Sequence, residues 1–373
     1  MVDHSYSSFM PTTKKKIIMI GPFSPPYGGE ALAFKVVFDG LPSSLKKLLI
    51  DKAKYNGSKF YNLINPIYFV IKILYFSFFS KKIYMTSGSN KLGKLRDILI
   101  FIVSYIFRHE VICHVHGSAY LKLSESSILD KVLIKSLRSF SKIILLSESF
   151  RTKFNYINKS NIEIVPNSIF PNTPNFEISS KLDKYTDEKI NLLYMSHVLP
   201  SKGLYFILEA LLLLKDEIPF TFYFAGNIIS ENGYSETNIA DKIREYKSKL
   251  KDSFVIQGFV SNEKKWQLLS EAHIFLLPTS FHAEGLPISI IEAMYFGNAI
   301  ISTNWRAIPD LVVNKVNGFL VKPEDHLEIY DSILYLYKNR QILMDIGKRN
   351  TSKIEKDYSY NLFRDKMERI ILN

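Results

Sequence analysis

The sequence predicts an α/β protein made of two doubly wound domains that face each other across a cleft. Three observations carry the prediction. The chain has 373 residues, room for two domains of ordinary size. Short apolar, β-branched runs alternate with longer helical patterns along most of its length, as in βα units around parallel sheets. The alternation breaks at residues 170–189, which are rich in Pro, Asn, Ser and charge and lack a period. Residues 1–172 are therefore read as the first domain and 173–357 as the second.

Composition bounds the class. The chain is 47% hydrophobic, enough for real cores. Its mean hydropathy is close to zero, which argues against an integral membrane protein. A single cysteine, Cys113, excludes an internal disulfide and fits a reducing compartment. Met1 to Pro11 is polar and the apolar run Ile17 to Ile20 is short, so no cleavable leader is expected. The net charge is +12. Residues 1–180 hold 24 Lys+Arg against 11 Asp+Glu, and residues 181–373 hold 24 against 25, so the excess lies in the first half. A basic half meets nucleic acid, an anionic membrane or an acidic substrate. No helix-turn-helix, zinc-finger or RNA-recognition pattern is present, so nucleic acid is not expected as a partner.

In the first domain, Lys14 to Gly21 reads as a buried strand. A loop ending in Gly28-Gly29 follows, then a helix from Glu30. The loop is not the dinucleotide fingerprint of three spaced glycines, which counts against an NAD-dependent oxidoreductase. Two adjacent glycines still let a ligand approach the backbone. Residues 65–80 and 97–108 read as aromatic-rich helices, each shorter than a membrane span needs. Strands at Lys82 to Thr86 and Val111 to His116 follow them. The helices are apolar nearly all round. With Lys81, Lys82, Lys91, Lys94 and Arg96 nearby, an anionic membrane surface is the expected partner of residues 65–108. His116 ends its strand and is a candidate site residue; His114 reads as structural. No acidic or cysteine partner stands at metal-ligand spacing, and no metal is expected. Further strands are read at 142–146 and 162–165.

The second domain opens with a strand, Ile190 to Met195, a loop, Ser196 to Gly203, and a helix, Leu204 to Leu214. Strands at Phe220 to Ala225, ending in Gly226, and at Val255 to Val260 come next. His273 to Pro278 is a buried strand, Thr279 to Ala283 a loop, and Pro287 suits the first turn of a helix that Gly297 stops. Strands at Ala299 to Thr303 and within 314–322 precede two closing helices, the last at 358–372.

The stretch Glu284-Gly285-Leu286-Pro287 to Glu292 carries the chemistry. A helix start offers free N–H groups and partial positive charge, a seat for a nucleotide phosphate. Glu284 stands at the mouth of that seat. Glu292 lies one and a half turns in and leans back toward it. A carboxylate accepts from paired hydroxyls such as those of a ribose or sugar. The spacing alone describes equally well a loop glutamate and a solvated helical one.

This stretch, with Ala293-Met294, Gly297, Pro309-Asp310 and Asn317-Gly318, resembles the C-terminal signature of retaining glycosyltransferases of family 4, which have the GT-B fold. The resemblance is strongest from Val165 to Pro323, where Pro166-Asn167-Ser168 matches a Pro-Asn-Gly turn. It implies that Glu284 and Glu292 contact donor sugar and ribose. It implies that Gly28 and Gly29 face donor phosphates and acceptor, that His116 lies near the donor sugar, and that the Gly226 turn faces the same cleft. Lys202 matches a pyrophosphate-binding lysine, while His197 stands where the family has an arginine. It further implies a last helix packed back on the first domain, no required metal or other cofactor, and retention of configuration.

The expected function is transfer of a hexose-type sugar from a nucleotide-sugar, UDP-linked by default with GDP-mannose behind. The acceptor is a glycan or lipid-linked molecule of capsule, O-antigen or lipopolysaccharide synthesis, met at the cytoplasmic face of the membrane. The alternatives are a sugar-nucleotide epimerase or hydrolase on the same architecture and a non-catalytic nucleotide- or membrane-binding module.

Overall fold

The structure is a computed structural model that describes residues 15–24, 29–52, 59–88, 90–124, 126–231, 233–260 and 262–373. The first domain holds strands β1 (Lys16–Gly21), β2 (Lys46–Asp51), β3 (Lys82–Thr86), β4 (Glu110–Val115), β5 (Lys142–Leu145) and β6 (Ile162–Ile164). Between them run helices α1 (Gly29–Gly40), α2 (Lys59–Ser77), α3 (Lys91–Phe107), α4 (Ile128–Ser139) and the single turn α5 (Glu148–Arg151). All pairings are parallel, in the order β2-β1-β3-β4-β5-β6.

The second domain repeats the plan. Its strands are β7 (Ile190–Met195), β8 (Phe220–Ala225), β9 (Phe254–Gly258), β10 (Ile274–Leu277), β11 (Ala299–Thr303) and β12 (Gly318–Val321). Its helices are α6 (Leu204–Leu214), α7 (Glu236–Leu250), α8 (Asn262–Glu271), α9 (Ile288–Tyr295), α10 (Ile308–Leu311), α11 (His326–Lys338) and α12 (Arg340–Asp357). The sheet is again parallel, ordered β12-β11-β10-β7-β8-β9. Every residue of β10 and β11 is buried, as helices on both faces of a sheet require.

Strand order reverses between β1 and β3 in one sheet and between β7 and β10 in the other. Loops that leave the carboxyl ends of such strands part to opposite faces and open a crevice. Here the two crevices face one another.

The last helix, α13 (Tyr360–Leu372), crosses to the first domain. Its Phe363, Met367, Ile370 and Ile371 join one core with Ile17 and Met19 of β1 and Phe34 and Val37 of α1. Three helices therefore close the chain rather than two, because α11 and α12 are separate, and the last begins at Tyr360. The stretch expected to be an unstructured linker contains helical turns at Ile178–Lys181 and Asp183–Thr186. Lys181 is fully buried there and donates to the Phe296 carbonyl at 2.7 Å, so the segment packs beneath the second domain.

No helix among the described residues is long and apolar enough to cross a membrane. Helices α2 and α3 nonetheless leave apolar side chains in water. Ile71 and Tyr75, Phe78 just beyond α2, and Leu92, Tyr105 and Ile106 of α3 are between 59% and 77% exposed. The basic side chains expected to accompany them are more engaged than the sequence implies. Lys94 pairs with Asp130 at 3.0 Å and Arg96 with Asp97 at 2.8 Å, and Lys81 donates to the Phe107 carbonyl.

Candidate active site

The two crevices enclose a cleft of about 550 Å³, the size of sites that hold small organic ligands. From the first domain it is lined by Gly29 and Glu30 at the start of α1, Ser87 and Gly88 after β3, and His116 and Gly117 after β4. From the second it is lined by His197, Lys202, Lys265 and the stretch from Ala283 to Ser289, together with Glu292. Of the residues singled out in the sequence, Gly29, His116, His197, Lys202, Glu284, Gly285, Leu286, Pro287 and Glu292 come together here. Gly28 lies outside the described residues. Gly226 is not among the residues lining the cleft; it packs against the Ser196 carbonyl, under the loop that carries His197.

Pro287 caps α9 without a side-chain cap bond, Ile288 and Ser289 at the helix start line the cleft, and the Ile290 N–H turns back to the Pro287 carbonyl. Glu284 is buried, and its Oε2 accepts from Lys202 Nζ at 2.7 Å and Thr279 Oγ1 at 3.0 Å. The Lys202 ammonium also stands 4.8 Å from the centre of the Phe281 ring. Its loop is fixed by Glu231, which accepts from the Ser201 N–H and hydroxyl. Glu292 is buried on α9, and its Oε1 accepts from Lys265 Nζ at 2.5 Å. Burial raises the Glu292 carboxyl above its usual range, and the Lys265 charge pulls it back. His197 is held below the usual imidazole range, first by burial and then by Lys202, so it is uncharged at neutral pH.

On the opposite wall, burial pushes the His116 imidazole down to about 4, so it too is neutral. Its ring lies on that of His114, 3.9 Å between centres. His114 is fully buried and bonds Tyr84 Oη through Nδ1 at 2.8 Å, a structural role. Beside them Lys52 donates to Thr86 Oγ1 at 2.7 Å and stands 3.7 Å from Glu30.

The walls meet at the 281–286 loop. A Cβ at Gly285 would lie 2.2 Å from the His116 carbonyl oxygen, so glycine is what permits this approach. Ser118 Oγ donates to the His282 carbonyl at 2.5 Å and Asn167 Nδ2 to the Leu286 carbonyl at 2.8 Å. Trp305 Nε1 donates to the Phe281 carbonyl and Arg306 to that of His282, so this pair holds the loop from behind. Sequence reasoning missed Lys265, Glu30, Lys52 and Glu231. Lys265 neighbours Lys264 on a polar helix, a pattern that solvated lysines share.

Residues 175–353 match the family described as glycosyl transferases group 1. The amylovoran biosynthesis glycosyltransferase AmsK of Erwinia amylovora is 26% identical over 189 residues, 49% of this chain and 44% of that protein. The putative colanic acid biosynthesis glycosyltransferase WcaL of Escherichia coli is 25% identical over 188 residues, 49% of this chain and 45% of that one. The match thus spans less than half the length of these relatives. In structure, HepE of Anabaena, solved in complex with UDP, is similar over 96% of this chain and 99% of its own, with a TM-score of 0.74 and 17% identity. The fold is GT-B, and residues 175–353 of the second domain are similar to the group 1 glycosyl transferases.

Proposed function

With similarity to group 1 glycosyl transferases on a GT-B fold as the premise, we propose that the protein transfers a hexose-type sugar from a nucleotide-sugar to a glycan or lipid-linked acceptor in bacterial surface polysaccharide synthesis. The observation that carries this is the pairing of Glu284 and Glu292 around the start of α9, with Lys202 beside them, in a cleft between two parallel sheets. In this reading the donor lies on the second domain. Its diphosphate takes Lys202 and the free amides at the start of α9, which stabilise the charge that develops on the leaving group. Lys202 moves from Glu284 to phosphate, and Glu284 is released to accept from hydroxyls of the donor sugar. Glu292 takes the ribose hydroxyls. His116, neutral and on the opposite wall, offers hydrogen bonds without repelling or attracting charge. The acceptor enters from the first domain. Retention of configuration, front-side attack and independence of any metal belong to the same reading, as does UDP as the nucleotide; HepE was solved with UDP and with UDP-glucose.

The test is calorimetric titration of UDP, GDP and dTDP into the protein and into Glu292→Ala. Selective binding of one diphosphate, weakened at least about ten-fold in the variant, is expected from loss of charge-assisted hydrogen bonds. Wild-type protein that is folded and binds none of them overturns the reading.

The membrane surface is the second part of the proposal. The apolar face of α2 and α3 favours it. Flotation with anionic and neutral vesicles tests it. Binding that ignores both lipid charge and the substitution of Tyr75 and Tyr105 by Ser would count against it.

A further inference from the structure

Lys265 stands out among the residues of the cleft. It lies on α8, which faces α9, and its ammonium is 2.5 Å from Glu292 Oε1. It also sits over the neighbouring indole of Trp266, 4.3 Å from the ring centre. Trp266 in turn stacks on Phe296 at the end of α9, 5.7 Å between ring centres. The lysine is thus pinned between an aromatic face and a carboxylate that is only 3% exposed. Among the described residues lining the second-domain wall, the other cation is Lys202, already bonded to Glu284, and His197 is uncharged.

We propose that Lys265 is a positioning residue of the nucleotide site, holding Glu292 as an ionised carboxylate turned into the cleft to accept from the paired hydroxyls of a ribose. The inference rests on the nucleotide-sugar reading above. Its physical basis is the cost of leaving a carboxylate buried without a cation. Such a group takes up a proton instead. A protonated acid keeps one good acceptor oxygen and becomes a donor, which ill suits two adjacent hydroxyls. The charged group facing Glu292 is Lys265 on α8. Lys202 is held by Glu284, in the loop before α9, and offers no substitute cation.

The experiment compares wild type, Lys265→Met and Lys265→Arg. Binding of UDP and GDP is measured by calorimetry, and binding of uridine and guanosine by ligand-observed NMR, from about pH 6 to pH 9, with melting temperatures recorded. Wild type that binds neither diphosphate nor nucleoside overturns the transferase reading, and this inference falls with it. Where wild type binds, Lys265→Met is expected to weaken the preferred diphosphate and its bare nucleoside by the same factor, about ten-fold or more at pH 7. Raising the pH through the freed carboxyl's elevated range is expected to restore part of that loss. Wild-type affinity stays level over the same range, and Lys265→Arg keeps most of it. Three outcomes overturn the proposal. The Met variant binds as wild type does. It loses affinity equally at every pH while its melting temperature falls, which marks a packing role. Or it loses the diphosphate but not the nucleoside, which marks a phosphate contact.

Discussion

Gly285 shows how much a single position controls. Its Cα lies where a side chain would meet the His116 carbonyl oxygen, a backbone atom with no freedom to swing aside. Gly285→Ala is expected to leave the fold intact but lower turnover by about ten-fold or more, since misplacement of the loop by an ångström is enough. Steady-state kinetics alongside a melting curve separates these effects. Lys202→Met is expected to weaken nucleoside diphosphate binding by a similar factor and to leave Glu284 buried without its cation, which isothermal titration checks. Glu284, Glu292 and Lys202 were singled out by the family resemblance of their stretches, the spacing alone being equally good for solvated side chains, and all three line the cleft. Lys265 was not, because its pairing depends on the approach of a second helix, and nothing in residues 262–271 marks one lysine as the partner of a buried carboxylate. Gly226, expected to face the cleft, is not among the residues lining it, and its lack of a side chain permits a close approach to the Ser196 carbonyl.

The elements read most accurately are continuous apolar runs, most of them strands buried on both faces. The bounds of β7, α6, β3 and β11 coincide with the expected ones, because continuous apolar runs have little else to become. β2 escaped notice. It is an edge strand, half exposed, and its two leading lysines hide the apolar run behind them. Helix α7 is polar overall and was also missed, although Ser235 and Asn238 form a reciprocal cap at its start. Ser235→Ala is expected to cost about 1 kcal/mol, read from chemical denaturation. Helices α2 and α3 differ from both cases. Their exposed aromatic side chains contribute little to folding, so Tyr105→Ser is expected to change stability by less than about 0.5 kcal/mol in the same assay.

Over the whole molecule, buried imidazoles set the response to acid. His116 and His273 are each pushed down to about 4 by burial, and burial also holds His114 well below the usual imidazole range. In the unfolded chain all three titrate near 6.5. Below that value the unfolded state binds more protons, so stability is full above it and is lost as pH falls toward 4. The melting temperature is therefore expected to drop steadily as pH falls from 6.5 to 4, which calorimetry at stepped pH would follow. The two-domain plan and the position of the cleft were legible from alternation of strands and helices. The closeness of the two walls was not, since it depends on hydrogen bonds between residues more than a hundred positions apart, such as Asn167 and Leu286.

The crossing of α13 to the first domain has a consequence for synthesis. β1 and α1 emerge from the ribosome early, yet the face they share is covered by Phe363, Met367, Ile370 and Ile371. Until that helix has been translated, an apolar surface on the nascent first domain has no cover. The whole second domain is made in the interval. The first domain is begun first and finished after its neighbour, so chaperone dependence during translation should centre on the β1–α1 face, and a stop after residue 358 should leave it sticky rather than merely shorter.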